Sequence, residues 1–511
     1  MSSQSPDDPT AGGPHDEQWE QFFRSMFGDG ADEAMRQMRE QGLDPRALAQ
    51  STGLGDDPRA LEAMLAQVKR MFETSGDSPV NAGVAHDVAR QVAVTGGDPV
   101  VVAAQARTAK DALSVAELWL DVVTDLPPAG GAPKAWSRSE WVEATLPAWG
   151  RLVAPVAASV ADAMATVLGD QMGELDGGAM PEIPGMPRGM LGQLDPAGMM
   201  RKLGSAVFGM QTGQAAGTLS REVFGATDVG VPLIEENVTV LVPSNVEAFA
   251  EGLDAPLDEV RLFLALREAA HARLFAHVPW LRAHLLGLVE EYARGITIDL
   301  ETLEERVRSI DISDTSALQD ALKGHVFRGQ NTEEQRATLL RLETTLALVE
   351  GWVDEVTATA ALPHLPHAVP LREMLRRRRA AGGPAEHVFS SLVALELRPR
   401  RSRDAAALWA HITAGSGPAG RDGVWEHPDL LPDDQDLDNP AGYSERRSAV
   451  AEGSADLDRA LEDILSGTVA GIDDSGESTA EPGSGDGAED TAAGGSDDST
   501  GDDEGGAPQD R

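Results

Sequence analysis

The stretch Leu264–Leu281, LALREAAHARLFAHVPWL, decides how this chain is read. From Leu253 to Val278 the sequence is apolar nearly all round, through Val260, Leu262, Phe263, Leu264, Leu266, Leu274 and Phe275. A helix with no polar face is predicted to be buried. Its polar residues then need partners, because an unpaired polar group inside a protein costs free energy. At 3.6 residues per turn Arg267, His271 and Glu268 fall at about 0°, 40° and 100°, so one sector holds all three. They are read either as a buried charge pair or as part of a reaction centre.

The spacing Glu268-x-x-His271 is the second half of H-E-x-x-H. In that motif two histidines one turn apart aim at one zinc ion, and the glutamate sits beside the metal-bound water as general base. Arg267 stands where the first histidine belongs. A guanidinium is protonated at any usable pH and has no lone pair to give. His277 follows His271 by six residues, the spacing of a third histidine ligand in one group of zinc peptidases. Those enzymes turn the chain at a glycine, where Leu274 stands here. A helix that continues through Leu274 aims His277 about 120° away from His271.

Composition narrows the chemistry. The chain has 511 residues, 41% of them hydrophobic, enough for a sizeable core. It has no cysteine, which excludes disulfides, thiol catalysis and cysteine-bound metals and leaves His, Asp and Glu as metal ligands. A formal net charge of −42 argues against a nucleic-acid partner, which needs a basic footprint. The first residues lack a basic, apolar signal sequence, and no run of about 20 uncharged apolar residues appears. A cytoplasmic protein with no membrane partner is the expectation.

A second segment, Asn331–Ala361, NTEEQRATLLRLETTLALVEGWVDEVTATAA, is a strong helix. Thr332 and Gln335 suit a capping box, and Leu339, Leu342, Leu346, Val349, Val353 and Val356 form an apolar stripe. Glu350 flanks the stripe, with Asp354 one turn on. The stretch VPLIEENVTVLVPSN, residues 231–245, is the best strand candidate, β-branched and bounded by proline and asparagine.

Four segments together, REAAHARLFAHVPWL from Arg267, LVEGWVDEV from Leu348, LELRPRRSRDAAALW from Leu395 and RDGVWEHPDLLP from Arg421, resemble the actinobacterial zincin-like metallopeptidase type 2 family. Its members are labelled hydrolases or zinc-dependent metalloproteases and are related to a coenzyme F420-associated group. The resemblance runs from roughly Val80 to Pro440. It implies zinc as cofactor and a peptide or protein as substrate. Residue by residue, it puts Glu268 at the general-base position, His271 and Glu350 at metal-ligand positions, and Asp354 where it orients a ligand histidine. His277 is a further candidate ligand, as are the histidines of the loop around His364 and His367. Arg267 removes one of the three protein ligands that a catalytic zinc normally has. Two functions follow: a zinc-dependent peptide hydrolase with a departed motif, or a non-catalytic pseudo-peptidase that acts as a binding or scaffold protein.

The expected fold is mainly α with a small β element near residues 231–243, a zincin-like helical architecture with a disordered acidic C-terminal tail. Residues 1–16 read as disordered, 17–79 as a loosely packed helical arm, 80–445 as the zincin-like helical domain and 446–472 as a short helical segment. Residues 473–511 carry thirteen acids against one arginine and too few apolar residues to offset chain entropy. The run Arg376–Arg379 reads as a solvated helix end. Asp434, Asp436 and Asp438 approximate a calcium loop, but Asn439 replaces its turn glycine.

Overall fold

The computed structural model describes residues 78–175, 196–296, 332–380, 384–393, 395 and 401–466. The expectations for the arm before residue 78, the Gly/Met/Pro-rich stretch beyond Leu175 and the tail from residue 473 lie outside the described residues. The chain divides into two units, residues 1–445 and 446–511.

The first unit is mostly helical. In chain order it contains α1 (Ala82–Val94), α2 (Ala103–Leu120), β1 (Lys134–Ala135), α3 (Arg138–Leu175), α4 (Pro196–Ser220), β2 (Val240–Leu241), α5 (Pro243–Ala250), α6 (Leu257–His277), α7 (Pro279–Arg294), α8 (Glu333–Ala361), α9 (Ala368–Ala380), α10 (Pro384–Val393), α11 (Ser402–Gly423) and the short α12 (Asp434–Asp438). A further helix, α13 (Tyr443–Leu465), enters the second unit, where Leu457, Leu461, Ile464 and Leu465 are exposed.

The decisive helix is α6. Asp258 and Glu259 lie in its first turn, where negative charge suits the helix dipole. It stops at Val278 because Pro279 cannot extend it, and that proline opens α7. From Phe263 to Phe275 every residue is buried. This follows from packing on all sides, against α2, α5, α7, α8, α9 and β2. Helix α8 starts with the predicted capping box, Thr332 accepting from the Gln335 amide and Gln335 from the Thr332 amide. Leu342, Leu346, Val349, Val353 and Val356 of its stripe are buried. Trp141, Trp149, Trp352, Trp409 and Trp425 fill the rest of the core.

The β element is smaller than the predicted segment. Only Val240 and Leu241 form a ladder, parallel to Lys134 and Ala135. Pro232 has no amide hydrogen to donate, and Glu235–Asn237 are exposed, so the earlier part stays irregular although Val231, Leu233 and Ile234 are buried.

Helix α4 carries little apolar periodicity, and its glycines argue against a helix by propensity. Packing reverses that. A Cβ on Gly209 would lie 2.5 Å from the Asn81 carbonyl oxygen, on Gly213 2.4 Å from that of Ala85, and on Gly217 2.7 Å from that of Ala89. Every fourth residue is glycine so that α4 can lie directly on α1, whose facing residues Ala85, Ala89 and Ala93 are also small.

Candidate functional site

The crossing of α6 and α8 brings Arg267, His271 and Glu350 together. Arg267 Nη2 donates to Glu350 Oε2 at 2.8 Å, and His271 Nε2 lies 3.0 Å from Glu350 Oε1. All three residues are buried. A second guanidinium arrives from α9: Arg379 Nη1 donates to Glu350 Oε1 at 2.5 Å. Burial pushes the Glu350 carboxyl up. Arg379, His271 and Arg267 outweigh burial and hold it well below the usual carboxylate range.

The other nitrogen of His271 faces its own helix, with Nδ1 3.0 Å from the Arg267 carbonyl oxygen. Both ring nitrogens thus meet oxygen acceptors. Neither nitrogen is left open to a metal.

Glu268 turns away from this cluster. Its Oε1 accepts from the amides of Ala226 at 3.0 Å and Val240 at 3.1 Å. Its Oε2 accepts from the Thr227 amide at 3.1 Å and the Thr227 hydroxyl at 2.5 Å. Burial pushes the carboxyl up to about 7, against the pull of those hydrogen bonds in the other direction. Its carboxylate therefore serves as the side partner of β2, taking a strand amide that no neighbouring strand receives. Gly225 makes this possible, because a Cβ there would lie 2.4 Å from Glu268 Oε2.

Asp354 does not meet His271. Its Oδ2 accepts from Arg372 at 2.7 Å and from Arg376. The orienting role falls instead to the Arg267 carbonyl. Nor does the structure bring His277 to the cluster: its Nε2 lies 3.0 Å from the Pro128 carbonyl oxygen. His364 stacks on Trp119, and His367 bonds Glu259. The acids of residues 434–438 form a helical turn capped by Asp433, with Asp434 and Asp438 on Arg401.

The arginine run of α9 is a correction. It does not form a free, solvated helix end. Arg376 binds Asp354, Arg378 lies over the Phe224 ring, and Arg379 binds Glu350 and the carbonyl of Asp228. The sequence signal was charge: four consecutive arginines in a chain of net −42 have carboxylates to find. Arg379, Asp228 and Thr227 are the site residues that sequence reasoning missed.

Zinc can be tested against these residues. Among those described, no group of three or more His, Asp or Glu side chains is arranged to hold a metal ion. Arg267 offers no lone pair, both nitrogens of His271 are engaged, and Arg267, His271 and Arg379 share the Glu350 carboxylate. The donor set as placed does not fit zinc. The space bounded by Gly225, Thr227, Asp228, Arg267, Glu268 and His271 is about 10 Å³, the scale of one water.

The fold is mostly helical, with a buried glutamate–histidine pair across α6 and α8 and a second glutamate three residues before the histidine. Residues 80–443 match the family described as zincin-like metallopeptidase, and the chain belongs to that family. No curated protein matches it. Among solved structures it is similar to a crystal structure described as "a putative hydrolase with a novel fold from Chloroflexus aurantiacus", at 18% identity and a TM-score of 0.48. That similarity covers 72% of this chain and 99% of the other. No described helix is long and apolar enough to cross a membrane.

Proposed function

We propose that the chain is a pseudo-peptidase, a zincin-like protein that binds peptide or protein chains without hydrolysing them by the zincin route. One observation carries this: both oxygens of Glu268 are saturated by donors of the fold, two on Oε1 and two on Oε2. A general base must reach the proton it takes, directly or through one water. Glu268 instead ties α6 to β2 and to the turn at residues 226–227. The water-sized space beside it also has no room for a peptide carbonyl. The test is peptide cleavage by the full-length wild type and Glu268→Gln, with binding of a fluorescent peptide library followed in parallel. Binding without cleavage is expected. Cleavage by the wild type that Glu268→Gln abolishes, with the fold intact, would overturn the proposal.

A second function, zinc-dependent peptide hydrolysis, has one electrostatic feature on its side, the burial of Glu268. The Glu268 carboxyl sits at about 7, close to the pH at which a proton-transfer group works best. The same assay separates the two.

A further inference from the structure

Glu350 is surrounded by more positive charge than a single buried carboxylate needs. Arg267 holds Oε2 at 2.8 Å. Arg379 holds Oε1 at 2.5 Å, and its other terminal nitrogen reaches Asp228, 3.1 Å from the carbonyl and 3.4 Å from Oδ1. One guanidinium therefore bridges two acids from different parts of the chain, with His271 against the same Glu350 oxygen. The backbone is shaped around this bridge. Gly230 has φ +82°, and a Cβ there would lie 3.3 Å from Glu350 Oε1 and 3.8 Å from Arg379 Nη1. Arg378 is the other cation near Asp228, at 3.6 Å.

We infer that the guanidiniums of Arg379 and Arg267 together occupy the Glu350 carboxylate that a divalent cation would need, so that His271 and Glu350 become open to one only when both are removed. The chemistry differs in two ways. A guanidinium offers hydrogens in a planar fork, so it pairs with carboxylates but leaves no position for a water or carbonyl to bind. It is also part of the chain, so dissolved metal does not displace it by concentration alone. The histidine needs no rearrangement. Nδ1 is held 3.0 Å from the Arg267 carbonyl oxygen, which fixes the ring with Nε2 toward Glu350. That carbonyl belongs to the backbone and survives any substitution at position 267.

Repairing the motif alone is therefore not enough. Arg267→His supplies the missing imidazole, but Arg379 still holds Glu350 and Asp228. Arg379, 112 residues after the motif position, is the second lock. This inference rests on the pseudo-peptidase proposal, yet the two fail separately. Peptide cleavage by metal-free protein would sink that proposal alone, and stoichiometric zinc on an inactive wild type would sink this one alone.

The test uses the full chain and zinc alone, read by metal analysis and calorimetric titration. Wild type and Arg267→His should hold much less than one zinc per chain after dialysis. Arg267→His/Arg379→Gln should hold one, and adding His271→Ala should weaken it tenfold or more. If that double variant does not fold, Arg267→His/Arg379→Met, which keeps more of the bulk, decides by melting temperature: zinc should raise it there and not in wild type. Three results would overturn the inference. The first is one zinc per wild-type chain that His271→Ala removes. The second is full zinc affinity in Arg267→His with nothing gained by changing Arg379. The third is no zinc on a folded double variant of either kind.

Discussion

Arg273 binds Glu117 twice, donating from Nε to the carboxylate at 2.7 Å and from Nη2 to that residue's own carbonyl oxygen at 2.7 Å. Nη1 reaches the Leu126 carbonyl and Nη2 the Asp121 carboxylate. A fully buried guanidinium on α6 thus closes the C-terminal end of α2, where positive charge suits the helix dipole. Arg273→Met keeps the bulk and removes the cation. It should cost about 3 kcal/mol or more in urea unfolding, as for other broken buried pairs. A loss below about 1 kcal/mol would show that Glu117 and the carbonyls find water instead.

Arg267→Ala should be similarly expensive. It leaves Glu350 with Arg379 and His271 only and opens a gap between α6 and α8. The expected loss is about 3 kcal/mol, measured by the shift of the unfolding midpoint at unchanged slope.

Glu268 makes stability depend on pH in a definite window. Its folded carboxyl is raised from 4.5 to about 7. Between those values the unfolded chain has released the proton and the folded chain keeps it. The unfolded state then binds fewer protons, so this contribution is fully present below pH 4.5 and is lost as pH rises through about 7. The effect is at most about 3 kcal/mol, from about 1.4 kcal/mol per unit. Glu350 shifts the opposite way and acts below pH 4.5, so it does not confuse the window. Melting curves of wild type and Glu268→Gln from pH 4.5 to 8 should differ in slope. Parallel curves would contradict the assignment.

Gly213→Ala sets two effects against each other. Alanine gains about 1 kcal/mol of helix propensity over glycine. The new Cβ would sit 2.4 Å from the Ala85 carbonyl oxygen and 2.9 Å from Val88 Cβ, so α1 and α4 must separate. Overpacking costs typically about 1–3 kcal/mol, and we expect net destabilisation by thermal melting. Gly150→Ala, in α3 and with nothing within 4 Å of the added atom, is the control that should show the propensity gain.

How much of this was legible depends on where each signal lived. α6 could be read because its polar residues interrupt an otherwise apolar surface. α8 could be read from its cap and its stripe. Glu350 came from the resemblance and Arg267 from the motif it breaks. Helix α4 was illegible because its helical reason is a neighbour, not its own propensity. The partner of Val240 was illegible too, since strand pairing across about a hundred residues leaves no local mark. Arg379 was visible as charge and invisible as geometry: four arginines in a row gave no hint that the last one faces inward.

The two-residue ladder between β1 and β2 bears on how the chain folds. Pairing Lys134 with Val240 closes a loop of about a hundred residues. Loop closure on that scale costs about 4 kcal/mol, before constants, by the logarithmic rule. The ladder returns two hydrogen bonds, Lys134 to Thr239 and Trp136 to Leu241, each worth about 1 kcal/mol. It cannot nucleate folding by itself. α2 and α6 must first bring its edges together, with Glu268 holding the Val240 amide in wait. Destabilising this ladder should therefore speed unfolding and leave the refolding rate nearly unchanged, the behaviour of a contact made after the transition state.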